Sequence, residues 1–319
     1  MIRVAVIGAG QWGKNLVRTF YELGCLAAVA DASPTIQEQV KQAYPEVPVY
    51  ADYRPLLERP DIPAVAIATP AHTHYAVARE ALEAGKDVFV EKPLTLSVEE
   101  AELLDELARQ TGRILMVGHL LLYQPAIRWI KQYLASGELG DVVSLHQQRL
   151  KLGRVRTVEN ALWSLGVHDI AVLLDLIGKE PQRVVAVGQR VLQPAIEDDV
   201  HLHLTFSGGV QAHLHTSWLW PTPVRKLVIV GTEGALEFDE IAQRVVLHRK
   251  GIDAHLQAWD KGSEVVFEGQ DEPLRIECEH FLSCVKTRQE PLSPARQGVA
   301  VLRVLEEASC QLAERREGQ

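Results

Sequence analysis

Apolar and polar positions follow two different patterns along the chain. Up to about residue 120, short and nearly continuous apolar runs alternate with stretches in which apolar residues recur every three or four positions. A continuous run predicts a strand buried on both faces, and the three-to-four spacing predicts an amphipathic helix. The predicted strands are residues 2–7, 26–30, 64–68, 88–90 and 114–117, and the predicted helices are residues 14–23, 35–43, 75–84 and 97–110. This alternation predicts a parallel sheet with helices on both faces.

After about residue 140 the runs are longer and alternate more strictly between apolar and polar residues. Such alternation is typical of an antiparallel sheet with one solvated face, and Gly208-Gly209 between two runs predicts a hairpin. The predicted strands are residues 142–152, 183–192, 200–206, 210–218 and 227–230, and the predicted helices are residues 164–177, 274–287 and 294–316.

The two patterns predict two domains and an α/β fold class. Residues 1–120 are expected to form a doubly wound parallel sheet. Residues 121–319 are expected to form an α+β domain with an open, mainly antiparallel sheet, whose last helix packs back on the first domain.

A glycine motif, Gly8-Ala9-Gly10-Gln11-Trp12-Gly13, joins the first predicted strand to the first predicted helix. Gly8 would allow the tight turn, Gly10 would let the backbone approach a pyrophosphate, and Gly13 would let helix and strand pack closely. The pyrophosphate would lie at the helix N-terminus. Asp31 ends the second predicted strand, where it would bind the ribose hydroxyls and repel a 2′-phosphate. The motif therefore predicts a Rossmann domain that binds NAD rather than NADP.

Composition narrows the classes of function. The chain has 319 residues and a net charge of −9, which argues against general nucleic-acid binding, because phosphate contacts need clustered cations. No apolar run approaches the ~20 residues that span a bilayer, and the first strand leaves no room for a signal peptide. The four cysteines lack C-x-x-C spacing and are expected to be reduced. We expect a cytoplasmic protein without nucleic-acid or membrane partners.

Further motifs carry a family resemblance. The glycine motif, Ala68-Thr69-Pro70, His74, Ala84-Gly85-Lys86 and Glu91-Lys92-Pro93 resemble the Gfo/Idh/MocA family, named after glucose–fructose oxidoreductase and inositol dehydrogenase. The resemblance implies a Rossmann domain followed by a domain with an open antiparallel sheet. It also implies a homodimer or homotetramer that associates through the free face of that sheet.

The resemblance implies two catalytic residues. Lys92 would lie near the nicotinamide and the reacting hydroxyl, and the peptide bond before Pro93 would be cis. Trp163-Ser164-Leu165-Gly166-Val167-His168-Asp169 matches the family helix that carries a catalytic histidine, which is His168 here. Ser164 stands where many members have an aspartate, and it cannot share a proton with the histidine as a carboxylate would. Asp169 is a poor replacement, because adjacent side chains diverge on a helix.

The remaining expected site residues are named by their match to the family. Gln124 and Tyr123 would face the cofactor or substrate, or pack at a domain junction. Arg225, beside Trp218-Leu219-Trp220-Pro221, would receive a nucleotide diphosphate or pack in an interface. The expected cofactor-binding residues are Gly8, Gly10, Gln11, Trp12, Gly13, Asp31, Thr69, Pro70, His74, Glu91, Lys92 and Gln124. The expected substrate-binding residues are Lys92, Tyr123, Ser164, His168 and Arg225.

Within the family, the segments around Tyr123 and His168 are most similar to enzymes that act on UDP-linked N-acetylhexosamines. This similarity implies oxidation of the C3 hydroxyl of UDP-N-acetylglucosamine. The alternatives are a ketosugar reductase, an inositol or free-sugar dehydrogenase, and an NAD-binding regulator without catalysis. Because Lys92 and His168 are both present, an enzyme is favoured over a regulator.

Four histidines, at positions 201, 203, 213 and 215, recur with period two on two adjacent predicted strands. All four could therefore share one face of the sheet. The same strands alternate with Leu and Ala in an ordinary sheet pattern. We therefore expect polar-face residues or dimer contacts, and no metal site.

Overall fold

The computed structural model describes residues 2–269 and 272–317. They divide into two compact units. The first contains residues 2–120 and 272–302, and the second contains residues 121–269 and 303–317. The sequence prediction assigned the whole of 121–319 to the second domain, whereas the structure groups residues 272–302 with the first unit. None of the described helices has the length and hydropathy needed to span a membrane.

The strands and helices are named here in chain order. The strands are β1 (Val4–Ile7), β2 (Leu26–Ala30), β3 (Val49–Tyr50), β4 (Ala64–Ile67), β5 (Asp87–Glu91), β6 (Leu115–Gly118), β7 (Val142–Leu152), β8 (Arg183–Gln189), β9 (Asp199–Thr205), β10 (Gln211–Ser217), β11 (Leu219–Gly231), β12 (Gly234–Asp239), β13 (Arg244–Ile252) and β14 (Ala258–Glu268). The helices are α1 (Gly13–Glu22), α2 (Pro34–Ala43), α3 (Arg54–Leu57), α4 (His74–Glu83), α5 (Val98–Thr111), α6 (Pro125–Ser136), α7 (Val167–Ile177), α8 (Pro273–Thr287) and α9 (Ala295–Glu317).

The first unit is built on a parallel sheet with the strand order β3-β2-β1-β4-β5-β6. Strands β1, β4, β5 and β6 are buried at every position, which explains their continuous apolar runs. The chain order reverses between β1 and β4, so the carboxyl ends of these strands flank the crevice where open sheets of this type bind ligands. The strand β3 was not predicted, because two residues are too short to show a period.

Side-chain contacts explain why residues 272–302 belong to the first unit. Arg288 follows α8 and its guanidinium donates to the Asp87 carboxylate at 2.6 and 2.9 Å. The Ser293 hydroxyl donates to the carbonyl oxygen of Val117 at 2.6 Å, and Pro294 forms an isolated bridge with Met116. This returning segment therefore lines the β6 edge of the sheet.

The second unit is built on a sheet with the order β14-β13-β12-β11-β7-β10-β9-β8. Its neighbours pair antiparallel, except that β10 lies parallel to β7. Helix α7 packs against β7 and β10. Along β9, buried and more exposed positions alternate strictly, so the two faces of the sheet differ in polarity. The predicted fold class, a parallel Rossmann sheet followed by an open and mainly antiparallel sheet, is confirmed.

Candidate functional site

The glycine motif forms the turn between β1 and α1. Gly8 has a φ of +89°, and a Cβ there would lie 2.8 Å from main-chain atoms of Ala68 and Thr69. A Cβ on Gly13 would lie 2.0 Å from the carbonyl oxygen of Gly8. These positions accept only glycine because the backbone itself occupies the space. The loop is therefore pressed between the N-terminus of α1 and the carboxyl end of β4.

Gly10 differs from its two neighbours in the motif. A Cβ on Gly10 would meet no described atom within 4 Å, so the loop backbone is open on that side at the N-terminus of α1. Asp31 stands beside it. One oxygen of its carboxylate accepts from the Ala9 amide and the other from the Ser33 amide, both at 2.8 Å. A carboxylate has about four acceptor positions, so it can also accept from ribose hydroxyls. The backbone opening and the acceptor fit a dinucleotide with a free ribose 2′-hydroxyl.

The loop after β4 holds three of the expected cofactor residues. Pro70 is exposed, and the Thr69 hydroxyl accepts a hydrogen bond from Thr73 at 2.7 Å. His74 is only 1% exposed, and its ring nitrogens lie 2.8 Å from the Pro93 carbonyl oxygen and 2.9 Å from the Thr69 carbonyl oxygen. His74 was expected to contact the cofactor. Its described hydrogen bonds connect the loops that follow β4 and β5.

Glu91 ends β5 and connects it to the glycine motif. The Trp12 indole donates to Oε1 of Glu91, and the Lys92 amide donates to Oε2 at 3.3 Å. The Lys92–Pro93 peptide bond is cis, as predicted. Lys92 is thus held at the carboxyl end of a central strand, and its anchor, Glu91, is tied to the loop that would hold the dinucleotide.

Two buried carboxyl groups lie close to one another in this unit. Glu91 is 7% exposed, and burial raises its pKa to about 7, against the smaller opposing effects of Trp12 and Lys92. Glu277 on α8 is 1% exposed, and burial, together with the charge of Glu91, raises its pKa well above the usual value. Two neighbouring carboxylates in a desolvated place favour retention of a proton. Glu277 was not among the expected site residues, because a single polar residue on a predicted helix gives no signal of burial.

The variant Glu91→Gln is expected to reduce the dependence of stability on pH. With its pKa raised from 4.5 to about 7, Glu91 keeps its proton in the folded state at pH values where the unfolded chain has released it. Stability is therefore lost as pH rises from about 4.5 to 7, by about 3 kcal/mol. The amide of glutamine still accepts from Trp12 but does not titrate. The measurement is the free energy of unfolding by urea at pH 5 and pH 8.

The matched control is Glu58→Gln, because Glu58 is an exposed glutamate of the same unit. This variant should reproduce the pH dependence of the parent protein. Equal pH dependence in Glu91→Gln and the parent would show that Glu91 does not hold the proton.

His119 follows β6 and is a site residue that the expected set did not include. It is 1% exposed, and neither ring nitrogen has a hydrogen-bond partner among the described residues. Burial and then the charge of Lys92 lower its pKa to about 3, so the ring is neutral. Buried polar atoms in native proteins are nearly always hydrogen-bonded. A neutral imidazole beside Lys92, with both nitrogens unsatisfied, is therefore a candidate contact for a bound ligand.

In the second unit, the predicted helix over 164–177 begins irregularly. Residues Leu162–Gly166 form a π-helical turn, and the regular helix α7 starts at Val167. Ser164 lies in the π turn, and His168 lies in the first turn of α7; both are partly exposed. Single π turns often occur at functional sites. Gly166 permits the turn to approach β10, because a Cβ there would lie 3.1 Å from the Thr216 methyl group.

Asp169 is fully buried and belongs to a charge network. Its carboxylate accepts from the Arg149 guanidinium at 2.7 Å and from the Gln147 amide at 2.8 Å, and Arg149 also donates to Glu240 at 2.6 Å. A buried charge needs such partners, because an uncompensated one is strongly destabilising. The structure thus supports the prediction that Asp169 does not replace the aspartate absent at Ser164.

Of the other expected residues of the second unit, Tyr123 and Gln124 are buried, and Arg225 is partly exposed. Arg225 donates to Glu240 at 3.0 Å, so its charge is already paired within the fold. Tyr123 is 1% exposed. Gln124, at the N-terminus of α6, is 5% exposed, and its amide oxygen has no hydrogen-bond partner in the described part of the chain. Ser164, His168 and Arg225 are therefore the partly exposed members of the expected set in this unit.

Comparison with known protein families covers both units. Residues 2–119 match the model of an oxidoreductase family with an NAD-binding Rossmann fold, GFO/IDH/MocA, and residues 127–237 match the model of the C-terminal domain of that family. The resemblance inferred from the glycine motif and the Glu91-Lys92-Pro93 motif is confirmed.

Individual relatives cover most of the chain. It is 29% identical over 310 residues to the UDP-N-acetylglucosamine 3-dehydrogenase of Acidithiobacillus ferrooxidans, covering 95% of this chain and 94% of that protein. A solved structure of that dehydrogenase matches with a TM-score of 0.86 at 27% identity, covering 98% of each chain. The chain is also 29% identical over 310 residues to the scyllo-inositol 2-dehydrogenase (NAD(+)) of Bacillus subtilis, covering 91% and 88%. It is 36% identical over 244 residues to the uncharacterised oxidoreductase YdgJ of Escherichia coli, covering 73% and 70%.

Proposed function

We propose that this chain, which belongs to the GFO/IDH/MocA family of NAD-dependent oxidoreductases, oxidises the C3 hydroxyl of UDP-N-acetylglucosamine to a ketone. The observation that carries the dehydrogenase part is the link from Trp12 of the glycine motif through Glu91 to Lys92. It ties the backbone of Lys92, which carries a cationic side chain, to the loop that would bind the cofactor. The substrate is proposed from the UDP-N-acetylglucosamine 3-dehydrogenase relative, which is 29% identical over 95% of this chain.

When bound, NAD supplies the acceptor for the hydride that leaves the sugar carbon. The open backbone at Gly10 and the Asp31 carboxylate would hold its pyrophosphate and ribose, and Gln11 and Trp12 would border it. The Lys92 ammonium would orient the sugar hydroxyl and stabilise the oxyanion as it forms. The His168 imidazole would take the hydroxyl proton, since histidine is the side chain that most often acts as a general base.

The remaining assignments complete the same proposal. Ser164 would donate a hydrogen bond to the substrate. Gln124 and Tyr123 would border the site. Arg225, whose side chain is 41% exposed although it is paired with Glu240, would contact the diphosphate. We also propose that the protein is cytoplasmic and forms a homodimer or homotetramer through the free face of the C-terminal sheet.

A second candidate substrate class is the inositols. It is favoured by the scyllo-inositol 2-dehydrogenase relative, which is as similar in identity as the nucleotide-sugar enzyme and covers 91% of this chain. The expected reaction is the same oxidation of a secondary hydroxyl, without the diphosphate.

The test is NADH formation followed at 340 nm with UDP-N-acetylglucosamine and with scyllo-inositol. We expect turnover with the nucleotide sugar and at least tenfold lower kcat/KM with the inositol. A thermal-shift measurement with each compound and NAD gives a second readout, because a ligand that binds the folded state raises Tm. Turnover with inositol alone would replace the proposed substrate. No NADH with either compound, and no shift, would exclude both.

A further inference from the structure

The polar face of the second sheet carries a cluster that the proposed reaction does not use. His201 pairs directly with His215 across β9 and β10, and Asp199 lies two residues before His201 on the same strand. The positions on this face alternate with buried Val200, Leu202 and Leu214. The prediction that the histidines share one face is confirmed. That prediction had not included Asp199, which adds a carboxylate to the imidazoles.

The three side chains bring their donor atoms together. His215 Nε2 lies 3.0 Å from Asp199 Oδ1, and His201 Nε2 lies 3.8 Å from the same oxygen. One donor atom from each residue lies within 4.8 Å of the other two. In a tetrahedral site with bonds of ~2.0–2.1 Å, ligand atoms are roughly 3.3 Å apart. Side-chain rotations of about an ångström would bring these three atoms to that separation.

We propose that Asp199, His201 and His215 form a binding site for a divalent transition metal, with Zn²⁺ as the best match. Two imidazole nitrogens and one carboxylate oxygen are the donors that Zn²⁺ and its neighbours in the first transition row prefer, whereas Mg²⁺ prefers oxygen ligands alone. The side chains of Asp199 and His215 are 18% and 15% exposed, and that of His201 is 50% exposed. The described residues supply three ligands, so the fourth position is left for water.

The protonation states suit metal binding at neutral pH. Burial, and then the charge of His215, lower the pKa of His201, so its imidazole is neutral and has a lone pair. Partial burial acts to raise the pKa of Asp199, but hydrogen bonds from His215 and Ser217 hold it below the usual value. Because ligands must be deprotonated, binding should weaken as pH falls. The other titratable groups near the cluster are His203 on β9 and, beyond it, His213 on β10 and His146 on β7, whose ring stacks on that of His213.

The same sheet offers a matched control. His248 on β13 has its Nε2 3.9 Å from a carboxylate oxygen of Glu237, so it is also a histidine beside an acid. It lacks the second histidine that would complete a set of three ligands, since the described residues contain one such set, that of Asp199. His248→Gln removes an imidazole from the sheet without touching the proposed site.

The experiment is calorimetric titration of the whole protein, freed of metal with a chelator, with ZnCl₂ and separately with MgCl₂. We expect saturable Zn²⁺ binding and a rise in Tm, with no response to Mg²⁺. His201→Gln, His215→Gln and Asp199→Asn should each weaken Zn²⁺ binding by at least about tenfold, because removing even an outer partner of a metal ligand typically costs 10–100-fold. His248→Gln should bind Zn²⁺ as the parent does.

His201→Gln is the decisive variant, because its side chain is the most exposed of the three and its loss should leave the metal-free Tm unchanged. Titration with Co²⁺ gives a spectroscopic readout, since visible absorption of tetrahedral Co²⁺ should appear in the parent and vanish in the three variants. Unchanged Zn²⁺ affinity in His201→Gln, or an equal loss in His248→Gln, would overturn the proposal. So would a parent protein that does not bind Zn²⁺.

Discussion

Lys92→Met is expected to lower kcat by about 10³-fold while NAD affinity changes only a few-fold. Losing one donor that stabilises a developing oxyanion typically costs 10²–10³ in kcat, and Lys92 is proposed to orient the hydroxyl as well. Methionine keeps the length and apolar stem of the side chain, so the packing beside Glu91 is retained. The measurement is kcat and KM for the sugar, together with NAD binding by fluorescence.

Three variants make this result specific. Lys92→Arg keeps the charge in a different shape and should retain part of the activity. Lys41→Met removes an exposed lysine from α2 of the same unit and should leave kcat unchanged. His168→Asn should also lower kcat strongly and change the pH–rate profile, because it removes the proposed base. A decrease of only a few-fold in both Lys92→Met and His168→Asn, with folding intact, would refute both assignments.

Gly13→Ala is expected to reduce both stability and cofactor binding. The new Cβ would lie 2.0 Å from the carbonyl oxygen of Gly8, and a main-chain oxygen cannot rotate aside as a side chain can. Helix α1 would have to move away from the turn that follows β1. We expect a loss of about 3 kcal/mol or more in the free energy of unfolding, the upper range for an overpacked site. The measurements are urea unfolding and NAD titration.

Gly10→Ala separates the two effects. Its Cβ would meet no described atom within 4 Å, so the fold should be unaffected and the Tm should match that of the parent. The methyl group would stand in the space proposed for the pyrophosphate, so NAD affinity should fall by about tenfold or more. If Gly13→Ala kept the parent Tm, the close approach of helix and strand would not have the importance given to it here.

The first sheet could be predicted closely from the sequence because its strands are buried on both faces. Such strands produce continuous apolar runs whose ends are marked by glycine, proline or charged residues, as around β1 and β5. The glycine turn could also be predicted from the sequence, because the conformation of Gly8 and Gly13 depends on residues nearby in the chain and on one neighbouring strand. What could not be predicted was β3, which is two residues long.

In the second sheet, the local pattern of apolar and polar residues did not predict how the strands pair. Strands β7 to β11 were predicted, whereas no ranges were predicted for β12, β13 and β14. The pairing of β10 with β7 joins segments about sixty residues apart, and no periodicity reveals it. The same holds for side chains. Asp169 forms an ion pair with Arg149, which lies twenty positions away in the sequence. Glu277 is close to Glu91 only because the chain returns to the first unit at α8. Burial, which makes Glu277 and His119 chemically notable, is a property of the folded chain.

The π turn before α7 has a similar origin. Sequence periodicity predicted a regular helix from residue 164, on which Ser164 and His168 would be one turn apart. In the structure, regular helical spacing begins only at Val167. The departure fits with Gly166, whose missing Cβ lets the backbone lie close to β10. A glycine that serves close packing and one that ends a helix look identical in a single sequence.

The chain leaves the first unit after residue 120 and returns to it at residue 272, so the dinucleotide-binding half is discontinuous. A fragment that stopped at residue 120 would keep a buried Asp87 but lose the Arg288 that neutralises it. It would also expose the β6 edge that Ser293 and Pro294 line. A chimera that takes this half from a relative, by recombination or in the laboratory, must therefore include two separate segments, the one that ends at residue 120 and the one that begins at residue 272.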